Sequence, residues 1–231
     1  MNKIFVLCLK ELNEHFIHNK RIIISFLIFI FAFSPIVFGI SSQDNPTILK
    51  ILALIFSLMP VQLGIIFALP VMIESFYREK INGSIEYMLG YNLSLKELWL
   101  GKTLGLTIGS YLISVLLILI FNIALLYKSK ILILQYFGIF AYLNLLILNP
   151  VALFSVIGFF SMLYMLFKNY QIPHYVLFAL VFSSFFLITK LKPRSPMVFE
   201  IILICGIAIL ITASFIISHF ITRERVILSV D

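Results

Sequence analysis

Residues 22–40 contain no charged side chain over 19 positions, and similar apolar runs recur along most of the chain. At about 1.5 Å per residue, a helix of that length crosses most of a hydrocarbon core about 30 Å thick. This constrains the fold more than anything else in the sequence, because such runs cannot all be buried inside a water-soluble domain. The composition agrees: 62% of the residues are hydrophobic and 12% charged, with mean hydropathy +1.12, whereas soluble chains are about half apolar and about a quarter charged. The net charge of +7 does not point to nucleic acid, because Lys and Arg sit in short clusters between the apolar runs, where membrane anchors and topology signals belong. Cys8 and Cys205 stand at opposite ends of the chain in no metal-ligand spacing and read as packing residues.

Six runs define the expected architecture, an all-α polytopic membrane protein forming one transmembrane domain over residues 1–231. Residues 3–20 alternate apolar and polar positions with helical period. Phe5, Leu9, Leu12 and Phe16 share one face, as expected of an amphipathic helix lying in the membrane interface. Spans are expected at 22–40, 48–73, 103–127, about 137–167, 172–189 and 197–221. The first is too long for the core of a signal peptide, and no A-x-A cleavage pattern follows it. Glu74 and Arg78 end the second, since a charge at the bilayer centre costs about 2.5–3.5 kcal/mol. Residues 74–102 form the longest polar stretch.

The stretch 131–167 is ambiguous. Asn149-Pro150 interrupts it, leaving a re-entrant segment before a span, one kinked helix, or two spans in a tight hairpin. With six spans and both termini inside, eleven Lys/Arg lie inside and six outside; seven spans give the same split. Charge counting therefore places the N-terminus in the cytoplasm without choosing between the two. Asn149-Pro150 has no flanking charge and makes a poor loop, and Pro150 reads more easily as a kink or the first turn of a helix, which favours six.

Several patterns carry candidate chemistry. Gly101-Lys102-Thr103 looks like the end of a phosphate-binding loop, but Lys96 stands where the first glycine is required. The chain is accordingly expected to be no enzyme, with no catalytic residue, metal or cofactor of its own. Gly101, Gly105 and Gly109 recur every fourth residue, the spacing that lets a neighbouring helix approach closely in lipid. His15 and His18, beside Glu11 and Glu14, have a spacing a metal could use, but a polar helix face accounts for them equally. Gln62, Asn122, Asn144 and Asn149 are the costliest uncharged polar residues inside the runs. They are candidate pathway residues, or alternatively hydrogen bonds between helices. Acids appear only near span ends, which argues against a self-powered ion-coupled carrier.

The most informative segment is Glu79-Lys80-Ile81-Asn82-Gly83-Ser84-Ile85-Glu86-Tyr87-Met88-Leu89, followed by Asn92-Leu93-Ser94 and then Leu100-Gly101-Lys102. Here the chain resembles the ABC-2 type exporter permeases. Their loop after the second span commonly reads Glu, Gly-Thr, an apolar residue, Glu, a Leu-rich turn, Pro-Leu-Ser, and a later Gly-Lys opening span three. This sequence has Ser84 for the Thr and Asn92 for the Pro. With the order of helices around the loop, the resemblance extends over nearly the whole chain.

The resemblance implies the membrane subunit of an ATP-binding cassette exporter in the cell membrane. Its partners would be two copies of a cytosolic subunit holding ATP and Mg, and a second permease subunit, the same chain or a sister. It further implies that Glu79, Gly83, Ser84, Glu86, Tyr87, Met88 and Leu89 belong to a cytosolic coupling helix that docks on the ATPase. Asn82 or Ser84 is suited to cap that helix, and Glu86 falls in its first turns. A hydrophobic peptide, a lipid or a drug would suit the aromatic content as substrate. Two other classes stay open: a self-contained channel, carrier or intramembrane enzyme, and a non-transporting anchor or immunity protein.

Overall fold

The computed structural model describes residues 3–17, 19–39, 46–90, 93–129, 139–190, 196–220 and 226. Expectations for 131–138, the loop at 191–195, His18, Asn92, Arg223 and Arg225 fall outside them. The described residues are almost entirely helical.

Helix α1 (Lys3–Glu11) runs into a π-helical turn at Leu12–Ile17 and is followed by α2 (Lys20–Gly39). Helix α3 (Pro46–Met72) carries Pro60 and Pro70 in its interior and widens into a second π turn at Ile73–Arg78. Proline lacks an amide hydrogen and releases a carbonyl one turn back, so a change of helical pitch near Pro70 has a local cause. Two short helices follow, α4 (Glu79–Ile81) and α5 (Ser84–Gly90), then the 35-residue α6 (Leu95–Ser129). Helix α7 (Ile139–Leu143), a third π turn at Asn144–Leu148 and α8 (Asn149–Leu166) are continuous, with Pro150 in the first turn of α8. Helices α9 (Gln171–Lys190) and α10 (Pro196–Phe220) complete the chain.

Three helices among the described residues are long and apolar enough to cross a membrane: Phe56–Ile81, Leu95–Tyr127 and Ala141–Leu166. A fourth arises if Lys3–Ile17 and Ile22–Ala32, bent by 57°, form one broken span. The described residues are thus all-α, with three to four candidate spans among them, fewer than the six expected. Helices occupy the remaining expected positions, but in α10, for example, the described apolar stretch is only Ile204–Ile217. No turn separates residues 131–167 at Asn149-Pro150. There the chain stays helical through the π turn: Pro150 offers no amide hydrogen to the carbonyls one turn back, and one of these, that of Leu145, accepts from Tyr111 Oη instead.

Helix α6 is the axis of the bundle, with α1, α3 and α8 packed along it. One core joins Met72, Phe76, Ile85 and Leu89 to Leu98 and Leu106 of α6 and to Leu153, Ile157 and Phe160 of α8. A second core joins Phe56, Leu63 and Phe67 of α3 to Leu117, Ile118, Phe121 and Leu125 of α6. The outward face of α6 is the reverse of a soluble helix: Ile108, Leu112, Leu116, Leu119, Ile123 and Leu126 are all exposed at helical spacing. Meanwhile Thr103, Thr107, Ser110, Ser114 and Asn122 are buried. A continuous apolar stripe outside with polar groups inside is stable against hydrocarbon and unstable against water.

Candidate functional site

The site is a buried ion cluster where α1, the π turn after α3, α4 and the first turns of α6 converge. Its floor is the glycine strip. A Cβ built on Gly101 would stand 2.6 Å from Leu7 Cβ, and one on Gly105 would stand 2.7 Å from Glu11 Cβ and 2.8 Å from the Cys8 carbonyl. One on Gly109 would run into the Phe16 ring. The strip expected to admit a neighbouring helix therefore lies under α1, whose backbone approaches α6 too closely for any side chain. The buried face of α1 is Leu7, Cys8, Glu11 and, one π turn on, His15, whereas Phe5, Val6 and Leu9 point outward. Of the apolar face read from the sequence, Phe5 and Leu9 thus point outward and Leu12 and Phe16 are half-buried, with Phe16 against Gly109, while Glu11 and His15 lie on the protein-facing side.

Glu11 and Lys102 are wholly buried, with Lys102 Nζ 2.6 Å from Glu11 Oε1. The same ammonium lies 3.0 Å from Glu79 Oε2 and donates to Ser75 Oγ at 3.0 Å. Ser75 Oγ in turn donates to Glu11 Oε2 at 2.7 Å, and His15 Nε2 stands 3.4 Å from that oxygen. Lys102 thus sits between two carboxylates from different segments, with Ser75 closing the ring. Burying an ammonium this completely would cost several kcal/mol if it were unpaired; here it has two carboxylates and a hydroxyl. The donor atoms of Glu11, His15 and Glu79 all lie within 4.8 Å of one another, close enough to hold a metal ion. The Lys102 ammonium already stands between the carboxylates, so the arrangement works as an ion lock, and a divalent cation would have to displace that side chain first.

The polar loop is fastened at a second point. Lys80 Nζ donates to the carbonyls of Met165 at 3.2 Å and Phe167 at 2.8 Å, and more weakly to Tyr164 at 3.4 Å. These are terminal carbonyls of α8, which lack intrahelical partners and attract a cation. Tyr77 Oη donates to the Lys168 carbonyl at 2.9 Å beside them. Gly83 then turns the chain with φ +72°, where a Cβ would be strained, and its carbonyl accepts from the Tyr87 amide to open α5. Of the residues assigned to docking, Ser84, Glu86 and Tyr87 are exposed, Gly83 and Met88 half-buried, and Leu89 packed in the core beside Ile85. Leu89 therefore forms no part of an outward edge, because α5 turns its 85/89 side toward α6 and α8. Its outer side presents Ser84, Glu86 and Tyr87, with Ile81 alongside.

A capping box starts α6: Ser94 Oγ accepts from the Glu97 amide at 3.2 Å, and the Glu97 carboxylate accepts from the Ser94 amide at 2.8 Å. Trp99 Nε1 donates to Ser161 Oγ at 2.9 Å and to the Gly158 carbonyl at 3.1 Å, which ties α6 to α8.

The candidate pathway amides are dispersed. Asn149 Nδ2 donates to the Ser57 carbonyl of α3 at 2.6 Å, a bond between helices, whereas Asn122 Nδ2 bonds back to Ile118 of its own helix at 2.9 Å. Gln62 and Asn144 are buried. The side-chain oxygens of Asn122, Asn144 and Asn149 are buried without a hydrogen-bond partner among the described residues.

Sequence reasoning overlooked Glu11, Ser75 and Lys102 as a unit. Lys102 drew notice in a failed phosphate-loop match and in the Gly-Lys that opens span three in the exporter resemblance, and Glu11 only as a neighbour of His15. Compared with known proteins, the chain matches no family model, no curated protein and no solved structure.

Proposed function

We propose that the chain is the permease subunit of an ATP-binding cassette exporter, with six spans, both termini cytoplasmic and residues 79–90 coupling it to a separate ATPase subunit. The exporter would contain two copies of the ATPase, carrying ATP and Mg, and a second permease subunit, the same chain or a sister. A hydrophobic peptide, lipid or drug would be the cargo.

The observation that supports this reading best is the ion lock. A docking element transmits motion only if it is rigidly joined to the helices it must move. Inverting a 99:1 population of two states takes about 5.5 kcal/mol of differential binding, which a floppy loop would dissipate. Residues 79–90 form two short helices joined by a turn at Asn82-Gly83, held to α6 and α1 through Glu79 and Lys102 and to the end of α8 through Lys80, while Glu86 and Tyr87 are exposed. A surface anchored on three helices with an exposed outer side suits a lever better than a topology-setting loop.

A photo-crosslinker on Tyr87→Cys, in a chain carrying Cys8→Ser and Cys205→Ser, tests this in native membranes. The expected adduct contains a P-loop ATPase, and the same probe on the outward-facing Leu112→Cys yields none. Adducts with lipid alone at both positions would overturn the reading.

A further inference from the structure

A cleft of about 220 Å³ opens between the start of α6, α8 from Phe154 to Met165, and the last third of α10. Trp99 forms one wall, with its ring 6.2 Å from that of Phe154; Met162, Met165 and Phe215 supply the rest of the apolar lining. Lys96 stands at the rim, exposed, in the first turn of α6. A positively charged side chain there adds to the partial positive charge of the helix N-terminus. The neighbouring Glu97 carboxylate is engaged by Ser94 in the capping box.

We infer that this cleft binds an anionic phospholipid, with one acyl chain along Trp99 and Phe154 and the phosphate at Lys96. Three features argue for that occupant. The volume is below the roughly 300–1,000 Å³ of sites for drug-sized ligands, so it suits a single chain better than a compact molecule. From Met165 to Phe154, both in the lining, α8 advances about 16 Å at about 1.5 Å per residue, close to half the about 30 Å hydrocarbon core, the depth of one leaflet. Lys96 lies at the start of the candidate span Leu95–Tyr127, where a lipid phosphate would lie, one turn before Trp99. Flexible Met162 and Met165 can repack around a chain of varying shape. The inference requires only that these helices lie in a membrane, so it stands or falls separately from the exporter reading.

Trp99 is the only tryptophan in the chain, which makes the cleft directly observable. The full chain is reconstituted in phosphatidylcholine vesicles containing rising fractions of lipid with brominated acyl chains, which quench indole fluorescence on contact. Brominated phosphatidylglycerol is expected to reach half-maximal quenching at about one fifth the mole fraction needed by brominated phosphatidylcholine, the factor expected of one juxtamembrane lysine. Lys96→Glu, an exposed position whose folding is checked by circular dichroism, is expected to erase the difference. Equal quenching curves in the unmodified chain would overturn the inference in favour of bulk lipid. Absence of quenching by either lipid would overturn it in favour of a covering protein surface, such as a second copy. A difference that persisted in Lys96→Glu would place the anion elsewhere and overturn it as well.

Discussion

Lys102 Nζ meets Glu11 Oε1 at 2.6 Å across 91 positions of sequence, with both side chains shut away from the surface. The contact joins the N-terminal helix to the central helix of the bundle, and through Glu79 it includes the polar loop. Removing the ammonium alone would leave the buried Glu11 carboxylate facing the half-buried Glu79 carboxylate. Lys102→Met is therefore expected to destabilise the protein by about 3–5 kcal/mol. Combining it with Glu11→Gln and Glu79→Gln should recover a large part of the loss. Thermal unfolding in mild detergent measures both; a single variant as stable as the parent would show that the lock carries no stability.

The glycine strip leads to a sharper expectation. Gly105 leaves no room for a Cβ against Glu11 and the Cys8 carbonyl, and overpacking of this kind costs about 1–3 kcal/mol. Gly105→Leu should lift α1 from α6. Cys8 is buried in the native packing, so in a Cys205→Ser background its maleimide labelling should be slow in the parent and many times faster in the variant. Gly90→Ala, where a Cβ meets nothing within 4 Å, should leave the rate unchanged.

Lys80→Met should release the end of α8 without disturbing α6. Hydrogen bonds from a charged donor contribute about 1.5–3 kcal/mol in total stability terms. The local signature is faster amide exchange at residues 163–168, with exchange at 106–118 unaltered. Uniform acceleration throughout the bundle would point instead to global loosening.

Asn149 separates two roles for the buried amides. If its bond to the Ser57 carbonyl only joins α8 to α3, Asn149→Ala should lower stability by about 0.6–1.7 kcal/mol. In that case ATP hydrolysis by the native complex should be unaffected. Unchanged stability with altered hydrolysis would assign Asn149 to the pathway.

What the sequence made legible was mainly what lipid dictates. The long apolar runs pointed to helices, and the spacing of Gly101, Gly105 and Gly109 marked a close helix approach without identifying α1 as the neighbour. The ion cluster was not legible because its members come from three distant stretches: Glu11 with His15, Ser75 with Glu79, and Lys102. Each i, i+4 pair shares a helix face, but no local spacing brings the three stretches together. A helical projection put Phe5 and Leu9 on the face expected to matter, while the buried face is set by what fits over the glycines. Leu89 was misplaced because an apolar residue beside an exposed tyrosine looks like a docking edge until the neighbouring helices are in position. Ser94-x-x-Glu97 matches the capping-box pattern, a local signal that the sequence reading passed over.

The most direct test of the central claim is co-purification of the tagged chain from native membranes in mild detergent, with bound proteins identified by mass spectrometry. The exporter reading predicts a stoichiometric P-loop ATPase that is retained in Lys96→Glu and lost when the outward residues are changed in Glu86→Ala/Tyr87→Ala, with thermal stability unchanged. Recovery of the chain alone, or only with itself, under conditions that preserve other membrane complexes would contradict it.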